Sequence, residues 1–245
     1  MMKIIVNGTG AMAQKVAEML EQSENFICAG FTTSFPNERE IPTLAKALEI
    51  GDIAGIIDFS HPEQLNAVLS GAVAYKLPLL LATTGYTDKQ LIQIEKSAAT
   101  IPIVQTYNTS IGIAVLEKAV KTLAKELRLY ETDIVEIHHN KKIDAPSGTA
   151  LKLKNAVLAG RGGKQAELVY NRRDHPRKNS EEIGMQSLRL GNVYGEHSVY
   201  FAKDDELIEV KHTALSKNLF AKGAVDLMER LLNRKPGLYT VTELL

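Results

Sequence analysis

KIIVNGTGAMAQKVAEML, Lys3 to Leu20, is the stretch that decides the fold. An apolar run from Lys3 to Val6 ends in Gly8 and Gly10, and apolar residues then recur at Val16, Ala17, Met19 and Leu20 with helical spacing. The pattern predicts a strand, a glycine-rich turn and a helix, the arrangement that brings backbone close to a pyrophosphate at a helix N-terminus. Small Ala13 fills the helix-packing role of the usual third glycine. Alone the GxGxxA pattern is a weak signal, since glycines also make ordinary tight turns. It gains weight from Phe26–Phe31, a second apolar run at the spacing of a βαβ unit.

Working outward, apolar runs at Ile53–Phe59, Leu77–Ala82 and Ile101–Gln105 read as buried strands, separated by helical stretches running to about Tyr75 and over Leu91–Ala99. Such alternation predicts an α/β fold, a Rossmann-like doubly wound parallel sheet whose ligands bind beyond the carboxyl ends of the strands. Ala82-Thr83-Thr84-Gly85 and Thr106-Tyr107-Asn108-Thr109 fall at that edge. At the end of the second strand, where an acidic residue usually meets the adenosine ribose, the chain reads Thr32-Thr33-Ser34. Hydroxyls accommodate a 2′-phosphate without charge repulsion, which favours NADPH and leaves NADH open.

A helix with Ile111, Val115, Ala119, Leu123 and Leu127 on one face then leads into a different pattern. Gly184–Leu190, Glu196–Phe201 and Glu206–Thr213 read as successive strands without long helices between them, an α+β domain, and Leu219–Leu232 closes the chain as a helix. The expected division is 1–108 with 217–245 for dinucleotide binding, and 109–216 for substrate binding and oligomerisation.

Ahead of those strands lies EIHHNKKIDAPSGTA, Glu136 to Ala150, in which a strand ends in a polar cluster and Pro146-Ser147 starts a helix. A histidine that titrates near neutrality beside an ammonium group suits acid–base work, and the helix start near Gly148 and Thr149 suits a small carboxylate. The bland alternative is a solvated charged turn at Lys141-Lys142. His138 and His139, adjacent on a strand, point to opposite faces and do not easily share an ion, and no second His/Cys/Asp set has ligand spacing around them, so no metal is expected.

Bulk properties narrow the partners. Among 245 residues, Lys+Arg and Asp+Glu are both 29, so no global charge draws the chain to nucleic acid or to an anionic membrane. The basic block Arg172, Arg173, Arg177 and Lys178 is interrupted by Asp174, Glu181 and Glu182 and has no interleaved stacking aromatics. No apolar run reaches a bilayer span, no signal-peptide pattern opens the chain, and the single cysteine, Cys28, fits a reducing cytoplasm. A short-chain dehydrogenase needs a tyrosine four residues before a lysine, and none of the eight tyrosines has one. A phosphorylating aldehyde dehydrogenase needs a nucleophilic cysteine deep in the chain, where none stands. Hydride transfer to a small acidic substrate is the simplest joint reading. A non-catalytic NAD(P) sensor and a dehydrogenase for another small carboxylic acid are the alternatives.

HHNKKIDAPSGTA closely resembles the signature of the 4-hydroxy-tetrahydrodipicolinate reductase family of the diaminopimelate route to lysine. GTGAMA at Gly8–Ala13, ATTG at Ala82–Gly85, YNTSIG at Tyr107–Gly112, GEH at Gly195–His197 and SKNLFAKGA at Ser216–Ala224 extend the resemblance over nearly the whole chain. It implies NAD(P)H-dependent reduction of a cyclic dicarboxylate in a cytoplasmic homotetramer. For the site it implies His138 as proton donor or acceptor, Lys142 as proton donor, and His139, Gly148 and Thr149 as substrate contacts. Cofactor contacts are implied at Gly8, Thr9, Gly10, Ala11, Met12 and Ala13, at Thr32 and Thr33, at Ala82, Thr83 and Thr84, and at Thr106, Tyr107, Asn108 and Thr109.

Overall fold

The computed structural model describes residues 1–32, 40–41, 44–163, 165–173 and 181–245, and divides into two compact units, Met1–Ser110 with Asn218–Leu245, and Ile111–Lys217. In the first unit, β1 (Met2–Asn7) runs through the glycine turn into α1 (Ala11–Glu21) and β2 (Phe26–Thr32). The short β3 (Glu40–Ile41) and α2 (Leu44–Leu48) lead to β4 (Ile53–Asp58), α3 (Leu65–Ala74), β5 (Leu79–Leu81), α4 (Asp88–Ala98) and β6 (Pro102–Gln105). In the second unit come α5 (Ile111–Glu126), β7 (Glu131–His138), α6 (Gly148–Gly160) and β8 (Glu167–Val169), followed by β9 (Glu182–Arg189), β10 (Glu196–Lys203) and β11 (Glu206–Thr213). The chain then returns to the first unit as α7 (Asn218–Leu232) and β12 (Gly237–Tyr239).

The first unit's sheet has the order β12-β6-β5-β4-β1-β2-β3, with every pair parallel. Strand order reverses between β1 and β4, so the topological switch point lies beyond Asn7 and Asp58, at the glycine turn. Ile4, Ile5 and Val6 are wholly buried, as are Leu79, Leu80 and Leu81, because helices cover both faces at the centre of the sheet. Gly8 has φ +123°, and a Cβ there would lie 2.7 Å from the Phe59 carbonyl oxygen, so only glycine fits this turn.

Where the elements differ from the sequence reading, the cause is local. Helix α4 begins at Asp88 rather than Leu91 because Thr87 and Gln90 form a reciprocal capping box that supplies the first turn. His61, beside Pro62, stands exposed at the cap of a short 3-10 turn, Pro62–Gln64, with no side-chain capping bond.

Helix α7 is seated on the loop after β6. Thr109 Oγ1 donates to the Phe220 carbonyl at 2.6 Å, and a Cβ at Gly223 would come within 2.0 Å of the Thr109 carbonyl oxygen. Alanine usually favours a helix interior over glycine by about 1 kcal/mol, but here the clash is with backbone and outweighs that gain. Gly223→Ala should therefore cost roughly 1–3 kcal/mol of stability. Urea denaturation checks this, and an unchanged midpoint would show that the loop yields freely.

In the second unit the five-stranded mixed sheet has the order β11-β10-β7-β9-β8. Along β7, Thr132, Ile134, Glu136 and His138 are buried while Asp133, Val135 and Ile137 are partly exposed. The buried face packs with α5 and α6 through Ile134, Val199, Phe201, Met185, Leu153 and Val157. Glu136 and His138 therefore enter the same covered side of the sheet as the core residues.

Candidate active site

β7 delivers Glu136 and His138, two residues apart and hence on one face, to the strand's carboxyl end. β10 pairs antiparallel with β7 in a register that sets His197 opposite Glu136, and β9 pairs parallel so that Arg189 stands opposite His138. Glu136 is fully buried and one carboxylate oxygen meets His138 Nδ1, while Arg189 Nη2 lies 2.9 Å from its other oxygen. Burial works to raise the Glu136 carboxyl, but hydrogen bonds from His138, Ser187 and Arg189 outweigh it and hold it at about 2. It is an anion at neutral pH, set against His138 Nδ1.

The loop after β7 is held by backbone bonds from Leu190 N–H to the His138 carbonyl (2.8 Å) and from Asn140 N–H to the Gly191 carbonyl (3.2 Å). Within it, Lys142 Nζ donates to Asp144 Oδ1 at 2.7 Å, which lowers the Asp144 carboxyl. Arg189 also donates to the Asp144 carbonyl at 2.6 Å, tying the loop to the Glu136 pair. After the cis Ala145–Pro146 bond, Ser147 caps α6 by accepting from Ala150 N–H at 3.2 Å. Gly148 is exposed, and a Cβ on it would meet nothing within 4 Å, so space opens over the first turn of α6. The loop thus gathers His138, Lys142, Gly148 and Thr149 between β7 and α6, with His139 half-buried at its start.

His197 is the residue that sequence reasoning missed. Its Nε2 lies 3.0 Å from Ser147 Oγ, and its ring meets His138 edge-on, centroids 5.1 Å apart. Burial, followed by the neighbouring His138, pushes its pKa down to about 3, so it is neutral at pH 7. The expectation that no second ligand set lies around the histidines is corrected, since ligand atoms of Glu136, His138 and His197 all lie within 4.8 Å of one another. Linear spacing could not foresee it, because strand pairing brings in His197 from β10. A cation there would face the Arg189 guanidinium already seated on Glu136, so the set is better suited to handling protons than to holding a metal.

In the first unit the loops after β1, β5 and β6 open at one edge of the sheet. Gly10, Thr9 and Ala11 are exposed, Gly10 stands at the N-cap of α1 without a side-chain cap, and a Cβ there would meet nothing within 4 Å. That leaves an open cradle of backbone at a helix N-terminus, which fits a dinucleotide pyrophosphate. Met12 is half-buried and Ala13 is buried in the helix packing. Beneath the cradle, Asp58 accepts from Asn7 (2.6 Å), Ser60 (2.6 Å) and Thr83 (2.9 Å), and burial raises its carboxyl. This knot joins the ends of β1, β4 and β5. The Thr83 hydroxyl is thus engaged within the protein, with Ala82 half-buried and Thr84 exposed beside it. Thr106 Oγ1 donates to the Asn108 carbonyl and Thr109 to Phe220, whereas Tyr107 is half exposed. Thr32 ends β2; Thr33 lies outside the described residues.

A doubly wound dinucleotide-type sheet joined to a mixed-sheet unit whose histidine loop is built on a buried carboxylate defines a two-domain oxidoreductase. Family models described as dihydrodipicolinate reductase, N-terminus and C-terminus, match residues 2–109 and 112–245. The chain belongs to the dihydrodipicolinate reductase family. It is 38% identical over 244 residues to the 4-hydroxy-tetrahydrodipicolinate reductase of Brachyspira hyodysenteriae, covering 100% of both chains. Its fold is similar to that of the dipicolinate-bound dihydrodipicolinate reductase from Paenisporosarcina sp. TG-14, with TM-score 0.83, 20% identity, and 98% and 97% of the two chains covered. More distantly it is similar to an Agrobacterium radiobacter oxidoreductase in complex with NAD+, L-tartaric acid and magnesium, with TM-score 0.59, 10% identity, and 95% and 88% covered.

Proposed function

We propose that the chain reduces 4-hydroxy-tetrahydrodipicolinate to tetrahydrodipicolinate with loss of water, using NADPH or NADH, in the diaminopimelate route to lysine. Full-length similarity to curated reductases supports the reaction. The observation that carries the site is a single loop that holds His138 and Lys142 at one end and the open first turn of α6 at the other. In this reading, residues 1–108 with 217–245 hold the cofactor, and 109–216 hold the substrate.

The bound cofactor supplies a hydride, and the chain's own residues supply the rest. Gly8 to Ala13 seat the pyrophosphate on backbone N–H groups at the start of α1. Gly148 and Thr149, with His139, hold a substrate carboxylate at the start of α6, where the helix dipole favours an anion. Hydride addition to one ring carbon requires a proton at its neighbour, and the Lys142 ammonium, released from Asp144 as substrate binds, donates it. His138, steadied on Glu136, exchanges a proton with the substrate as water leaves.

Gly148→Val tests the carboxylate pocket. The open space around Gly148 means the valine folds without a clash, yet its methyl groups crowd the ground an anion needs. KM and the dissociation constant for dipicolinate should rise about tenfold or more, with a smaller change in kcat. Unchanged dipicolinate binding would remove the anion site from the start of α6. For the cofactor, NADPH should be used at least as well as NADH, and Thr32→Glu should shift the ratio of kcat/KM values toward NADH by adding a ribose acceptor that repels a 2′-phosphate. A wild type that strongly prefers NADH would contradict that reading of the Thr32 loop.

Other parts of the proposal follow from the second unit and from composition. Partly exposed Val135, Ile137, Leu188 and Tyr200, on the face of the mixed sheet opposite its buried core, support a homotetramer assembled through that face. Among the described residues no helix is long and apolar enough to cross a membrane, and a single cysteine, Cys28, which cannot form an intrachain disulfide, suits a cytoplasmic setting.

A further inference from the structure

We propose that His197 is a positioning residue that couples the proton-transfer end of the HHNKK loop to its carboxylate-binding end, an inference that rests on the reductase reading above. The geometry is specific. One buried imidazole touches both ends, through Nε2 to the Ser147 hydroxyl at 3.0 Å and through its ring to His138, at an interplanar angle of 76°. Ser147 is itself buried and caps α6 directly before Gly148. Its hydroxyl, which already accepts Ala150 N–H, retains a proton and a lone pair and so serves either tautomer of His197.

The surroundings are shaped for this contact. A Cβ at Gly195 would lie 3.2 Å from His138 Nε2 and in ordinary contact, 3.7 Å, with His197 Cε1, so the glycine of the GEH run gives the His138 ring room beside His197. Register places His197 opposite Glu136 on β7 and His212 on β11, so the ring is held from two strands as well as by Ser147. Its burial keeps it neutral at pH 7, so it holds the Ser147 hydroxyl as an uncharged ring. Nothing in the proton-transfer scheme requires His197 to titrate. Its work is to keep the cap of α6, and with it the carboxylate-binding turn, in register with the His138 ring. A rigid partner of this kind is what holds a reacting group within the fraction of an ångström that catalysis needs.

The test compares His197→Leu, His197→Gln, Ser147→Ala and the Leu/Ala double variant in the full-length protein. Loss of one positioning hydrogen bond should raise KM and the dipicolinate dissociation constant about tenfold in His197→Leu, with NADPH affinity unchanged. His197→Gln, whose amide reaches the Nε2 position, should recover most of that loss. For dipicolinate binding the double variant should be no worse than the worse single, because Ser147→Ala already removes the bond by which His197 reaches the cap of α6. A purely structural histidine would instead lower the melting temperature of His197→Leu, leave dipicolinate binding within twofold of wild type, and combine additively with Ser147→Ala; that result overturns the proposal. If His197→Leu does not fold, Ser147→Ala and Ser147→Ala/His197→Gln decide, since the proposal requires equal losses and a structural role requires unequal ones. Wild-type turnover is read in parallel. Its absence would remove the reductase reading, while the dipicolinate comparisons would still judge His197.

Discussion

Replacing Lys142 by alanine should lower kcat by roughly 10²-fold or more, the usual scale for a lost general acid, while the affinity for NADPH without substrate stays unchanged. Lys142 sits partly buried against Asp144, so the ammonium is held in the loop by one exchangeable ion pair rather than locked into the core. A substrate carboxylate can take over that pairing. The glycine turn at Gly8–Ala13 belongs to the other unit, which is why cofactor binding should not follow the loss. Near-normal kcat in Lys142→Ala, or loss of NADPH affinity as severe as the loss of activity, would make the lysine a structural charge. Arginine at this position should restore little, because a guanidinium does not release its proton in a protein.

His138→Asn should likewise reduce kcat by at least about 10²-fold, since an amide keeps a polar group at the strand end but cannot exchange a proton near neutrality. The structure sharpens this expectation. Glu136 remains ionised through its bonds to Arg189 and Ser187, so the variant still folds around a carboxylate whose charge Arg189 compensates, and the loss falls on turnover. The dipicolinate dissociation constant should move much less than kcat. Should His138→Asn weaken dipicolinate as strongly as it slows turnover, the histidine would be a substrate contact and the proton exchange would need another group.

Much of the fold was legible because its signals are local. The strand at Lys3–Val6, the glycines after it and the apolar face of α1 lie within one short stretch, and the apolar run around Leu79–Leu81, stopped by Thr83-Thr84-Gly85, has the length and bounds of a strand buried on both faces. The capping box at Thr87 and Gln90 was equally local and would have placed the start of α4 correctly. β3, β8 and β12 were not legible. They have two or three residues each, too few for a period to declare itself, and they are strands only because a neighbour offers a ladder.

The site divides along the same line. Period two along β7 already puts Glu136 and His138 on one face, and the Pro146-Ser147 pair announces the helix start. The contacts that turn these residues into a site are non-local. His197 arrives through the β7–β10 register and Arg189 through the β7–β9 register, and no spacing within the loop encodes either. The GEH run marked His197 as part of the resemblance, but only strand pairing shows what it touches. Similarly, nothing within the Ile53–Phe59 run singles out Asp58, and its role as the acceptor for Asn7, Ser60 and Thr83 appears only when three strand ends meet.

The most direct measurement is a coupled assay in which 4-hydroxy-tetrahydrodipicolinate is generated in situ by its synthase and the oxidation of NADPH and of NADH is followed by loss of reduced-nicotinamide absorbance. The account predicts substrate-dependent oxidation of at least one of the two, with NADPH at least as good as NADH, and its suppression by dipicolinate. No oxidation of either cofactor by a folded protein that binds NADPH would contradict it and favour a non-catalytic nucleotide sensor.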